Sequence, residues 1–123
     1  MKYYAEIVGF GTEALRFLTD PGSESLILFD KHVPPELSEI AVLQKQKVCS
    51  PTIAAGNMLV ICGKVFTVTA VGSTALQSLS ELGHCTLCFT GGSEAQRPGC
   101  IMAAGEEKLL PRDVQAGKTI EIY

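Results

Sequence analysis

With 123 residues the chain has room for one domain, residues 1–123, that buries a genuine core without staples. Ten Lys and Arg against 13 Asp and Glu give a formal charge of −3, and the only basic concentration, Lys45-Gln46-Lys47, is too short for a nucleic-acid surface. Hydrophobic content of 46% with 19% charged residues argues against disorder, and no apolar run approaches the roughly 20 residues a membrane helix needs.

The opening MKYYAEIVGF alternates polar and apolar residues and lacks the continuous apolar stretch of a signal peptide. KYYAEIV (2–8) reads as a strand with Tyr3, Ala5 and Ile7 on one face. GTEALRFLTD (11–20) is ambiguous; Thr12 can cap a short helix that turns Ala14, Leu15 and Leu18 inward. SLILFD (25–30) is a second strand, and PPELSEI (34–40) predicts one helical turn with proline in its first positions. Further strands are expected at 40–44, 58–62 and 65–71, with Gly63-Lys64 as a tight hairpin between the last two.

One segment breaks the two-residue rhythm. Ser73 is placed to cap a helix, Ala75, Leu76, Leu79 and Leu82 recur at helical spacing, and Gly83 stops it, so residues 73–82 form one amphipathic helix. Strands resume at 84–89, 100–104 and 119–123. The fold class is therefore all-β, a small β-barrel-like domain with one inserted amphipathic helix at about 73–82. The first and last strands can pair with each other or with a neighbouring chain, which leaves room for a homo-oligomer.

The stretch ELGHCTLCF (81–89) concentrates the reactive side chains. On a strand Cys85 and Cys88 point to opposite faces, so they cannot grip one metal, and no second ligand pair exists at comparable spacing. A thioredoxin-type pair needs a helix after the strand, whereas here the helix precedes it. Both cysteines read as small buried hydrophobes. Five cysteines in all (Cys49, Cys62, Cys85, Cys88, Cys100) cannot pair completely, which fits reduced thiols in the cytoplasm.

His84 stands at an element boundary, where a neutral imidazole can act as nucleophile or base. The plainer reading gives it a structural role, its ring bonding a backbone carbonyl at the helix end. His32, in FDKHVPPEL, reads as a solvated loop residue. No nucleotide-binding glycine loop, HExxH or GxSxG is present, so neither a cofactor nor a metal is expected.

TAVGSTALQSLSELGHCTLCF (69–89), with Pro98-Gly99 after it and LILFDKHVPPELSEI (26–40) before it, resembles the glucitol/sorbitol-specific IIA component of the bacterial phosphoenolpyruvate-dependent phosphotransferase system (PTS). The resemblance runs over essentially the whole chain. It implies a β-barrel-like phosphocarrier that accepts a phosphoryl group on a histidine from phosphorylated HPr. It also implies delivery of that group to the IIB component of a IIB/IIC sugar permease. In the resemblance, Gln44 occupies the position of the family's acceptor histidine and Gln46 that of a second histidine. An amide cannot carry phosphoryl, which leaves His84, the histidine of the matched motif, as candidate acceptor and His32 as runner-up. The other reading is a degenerate, non-catalytic member that binds or regulates a partner.

Overall fold

A computed structural model describes all 123 residues. All eight expected strands form: β1 (Tyr3–Phe10), β2 (Ser25–Phe29), β3 (Ala41–Cys49), β4 (Met58–Ile61), β5 (Lys64–Val71), β6 (Cys85–Cys88), β7 (Cys100–Ala104) and β8 (Thr119–Ile122). They close into a barrel in the order β1-β3-β2-β6-β7-β5-β4-β8, with β8 returning to β1. Closure removes both sheet edges, so the terminal strands pair within the chain. Two neighbouring pairs, β2 with β3 and β6 with β7, are parallel; the remaining pairs are antiparallel.

Alternation fills the interior as the sequence predicts. Tyr3, Ala5 and Ile7 of β1 meet Leu26 and Leu28 of β2, Leu59 and Ile61 of β4, and Ile120 and Ile122 of β8 in one apolar core. A smaller cluster of Ala70, Cys88, Cys100 and Met102 packs on the other face of the sheet. Ala70 reaches that face because β5 carries a register shift between Val68 and Ala70.

β3 runs five residues past its expected end at Gln44. Lys45 and Lys47 are exposed while Gln44 is buried and Gln46 half-buried, so the strand alternates even though all four residues are polar. Hydropathy carries no period there.

Helix α1 (Arg16–Thr19) occupies a single turn of the expected 11–20 segment and is preceded by Leu15, not by a capping Thr12. Ala14 and Leu18 do turn inward. The expected turn after Pro34 is α2 (Pro35–Ser38), with Pro35 at its start.

The inserted helix, α3, spans Ala75–Leu82. Thr74, not Ser73, precedes it, and no side chain caps it. The chain's entry is instead held by backbone bonds, Gly72 N–H to Cys100 O at 2.8 Å and Thr74 N–H to Pro98 O at 3.0 Å. Ala75 and Leu79 are buried as expected, but Leu82, in the last turn, is 46% exposed. The β4–β5 hairpin turns at Cys62-Gly63, one residue earlier than expected, with φ of +52° and +81°. Two successive positive φ values describe a type I′ turn, which matches the twist of the strands it joins.

Candidate functional site

The antiparallel register of β2 on β6 sets Leu28 opposite Cys85. Phe29 and His84, the next residues outward, therefore meet across the pair. Their rings stack at a centroid distance of 3.9 Å and an interplanar angle of 13°. His84 Nδ1 lies 3.0 Å from the Leu28 carbonyl oxygen. A carbonyl only accepts, so Nδ1 carries the proton and donates, and Nε2 of the neutral ring keeps its lone pair. Nε2 has no protein partner and is not sealed from solvent. The ring thus bonds a carbonyl of β2, not one at the helix end as the structural reading of the sequence has it.

The helix-end carbonyls have other donors. Gly83, at φ +62°, turns the chain and returns its N–H to Leu79 O at 2.9 Å. Leu82 O accepts from Asp30 N–H at 3.3 Å, Ser80 O from Gln46 Nε2 at 3.2 Å, and Gly83 O from Gln44 Nε2 at 3.0 Å. Two glutamine amides on β3 thus satisfy carbonyls that a helix end leaves open.

Gln44 itself is 1% exposed and turned into the barrel. Because Gly83 O needs a donor, the amide nitrogen must face it, and Gln44 Oε1 is left buried without a partner. Gln46 Oε1 accepts from the Tyr3 hydroxyl at 3.2 Å. Burial, with smaller contributions from the neighbouring Cys85 and Cys49, pushes the Tyr3 phenol far above its ordinary value, so it stays a donor at any working pH. Position 44 is therefore near His84 in space but faces the interior, while the imidazole keeps a route to solvent.

His32 lies just beyond β2. Its backbone N–H donates to Asp30 Oδ1 at 2.7 Å and its exposed ring approaches the same oxygen at 3.3 Å. Both histidines are thus placed by the exit of β2, His84 by Leu28 and Phe29, His32 by Asp30. Cys85 belongs to the barrel interior and Cys88 to the opposite cluster, so the two thiols do not converge. No group of three His, Cys, Asp or Glu is arranged to hold a metal ion.

Sequence reasoning did not find Phe29, Leu28 O or Tyr3 as parts of this site. Their roles follow from β2 pairing with β6 and from α3 folding onto β3, contacts between segments 39 to 56 residues apart. The one local signal was the Gly83-His84 boundary.

Residues 2–121 match the family described as the PTS system glucitol/sorbitol-specific IIA component. The chain is 32% identical over 119 residues, 97% of its length and 92% of the relative's, to the PTS system glucitol/sorbitol-specific EIIA component of Escherichia coli K12. The same component of Shigella flexneri is 32% identical over 119 residues. The crystal structure of a PTS system IIA component from Enterococcus faecalis V583 superposes with a TM-score of 0.74 at 25% identity, covering 96% of this chain and 97% of that one.

Proposed function

Because the chain belongs to the family of PTS glucitol/sorbitol-specific IIA components, we propose that it is a phosphocarrier whose acceptor atom is His84 Nε2. In this reading phosphorylated HPr docks at the exit of β2. The Nε2 lone pair attacks phosphorus, the N–P bond of the donor histidine breaks, and the donor recovers its lone pair. A reverse exchange hands the group to the IIB component of a sugar permease. The proton stays on Nδ1, hydrogen-bonded to the Leu28 carbonyl, throughout. It holds the ring in the tautomer that reacts and stabilises the positive charge that develops as the new bond forms.

The observation that carries this reading is the Nδ1–H bond to Leu28 O, which leaves Nε2 unpartnered and open. The chemistry asks for a positioned nucleophile rather than a metal or nucleotide, and it suits a small barrel acting in the cytoplasm with both partners. No helix of the chain is long and apolar enough to cross a membrane, and contact with the permease would pass through protein.

Incubation with phosphoenolpyruvate, enzyme I and HPr, followed by intact mass, tests it. One acid-labile phosphoryl group is expected on the wild-type chain and none on His84→Ala. A group retained by His84→Ala moves the role to His32. No group on either protein eliminates the carrier.

A further inference from the structure

Gln44 fits neither a nucleophile nor an idle core position. Its amide nitrogen is the only donor bonded to the carbonyl of Gly83, the residue directly before His84. The other end of that same peptide, His84 N–H, is held by Ser78 O at a long 3.3 Å. Gly83 has no side chain to restrain it and sits in a left-handed conformation, so the 83–84 peptide is held by the hydrogen bonds at its two ends. Rotation there would swing the imidazole off Phe29 and away from Leu28 O.

We infer that Gln44 is a positioning residue for His84: its amide, enclosed inside the barrel, locks the Gly83–His84 peptide and thereby holds the imidazole as the Nδ1–H tautomer with Nε2 free. Gln46 is the natural control. It donates to Ser80 O on the same helix end, but that carbonyl lies one turn before His84. Loss of either amide weakens the seating of α3, whereas only loss of Gln44 frees the peptide that orients the ring. The inference rests on His84 being the working histidine, yet it concerns the ring's geometry and is measurable without any phosphoryl transfer.

The test records His84 tautomers by nitrogen–proton NMR in wild type, Gln44→Met, Gln46→Met and Gln44→Glu. Wild type and Gln46→Met are expected to hold Nδ1–H. Gln44→Met, of similar length but without a donor, is expected to populate Nε2–H and, in the HPr assay, to accept phosphoryl about 10-fold or more slowly, the usual penalty for a displaced reacting group. Gln44→Glu adds a readout that simple packing would not move. Buried carboxyls titrate high; the protonated acid can donate to Gly83 O and restore Nδ1–H, and the ionised form cannot. A Gln44→Met protein with the wild-type tautomer ratio overturns the inference, as does a Gln44→Glu ratio that ignores pH. Should both variants fail to fold, the wild-type chain decides the matter. A through-bond coupling between Gln44 Nε2 and the Gly83 carbonyl carbon is required, and its absence overturns the inference. If the wild type takes no phosphoryl, the carrier reading fails while the tautomer comparison still stands.

Discussion

The cysteine pair of ELGHCTLCF shows how far one residue's environment can be argued from its neighbours in sequence. Strand alternation alone sends Cys85 and Cys88 to opposite faces, and they lie in two separate apolar clusters. Burial raises the Cys85 thiol far beyond its ordinary range, and burial followed by the neighbouring Cys100 pushes Cys88 up to about 12. Half-buried Cys62 is pushed up to about 11, and Cys49 is raised less. Thiolate is the reactive form. Iodoacetamide at neutral pH should therefore label Cys49 first and Cys62 slowly, with Cys85, Cys88 and Cys100 labelled only in denaturant. Counting adducts by intact mass checks this, and fast labelling of Cys85 or Cys88 in the native protein would contradict it. His84 was less legible than the cysteines. Its sequence neighbours show that it sits at a boundary, but the Leu28 carbonyl that selects its tautomer belongs to a strand 56 residues away.

At the scale of the element, α3 was readable at its end and not at its start. Gly83 announces the stop because only glycine takes a left-handed φ without cost. Ser73 looked like the cap, yet the N-terminus is fixed by backbone bonds to Pro98 and Cys100, and no capping side chain is used. The end is also closely fitted, since a Cβ built on Gly83 would lie 2.7 Å from Asp30 Cβ. Gly83→Ala should destabilise the protein by about 2–5 kcal/mol, from about 1–2 of left-handed strain and about 1–3 of overpacking. Urea unfolding measures it; a loss below about 1 kcal/mol would mean that the helix end yields without strain. β3 was legible only to Gln44, because its second half alternates among polar residues. That hidden half includes Gln46, whose amide bonds Ser80 O near the end of the helix.

For the whole molecule, the eight strands were readable one by one but their order was not. Parallel neighbours such as β2 with β3, and β6 with β7, are set by crossovers that leave no mark on hydropathy. The pairing of the first strand with the last is what turns these strands into a barrel. Lys2 N–H bonds Ile122 O at 2.7 Å, Met58 N–H bonds Tyr123 O at 3.1 Å, and Ile120 and Ile122 are both 1% exposed within the core. β8 thus bridges β1 and β4, and without it both would become open edges while the interior lost two isoleucines. Ile122→Ala alone should cost about 2–5 kcal/mol, the range for a truncated core aliphatic. Removal of residues 119–123 should go further and abolish the cooperative thermal transition, because no other strand can take the vacant place. Circular dichroism melts of the full and shortened chains distinguish the outcomes. A sharp transition in the shortened chain would mean that the open sheet is stable by itself and that closure is not what holds β2 and β6 in the register that seats His84.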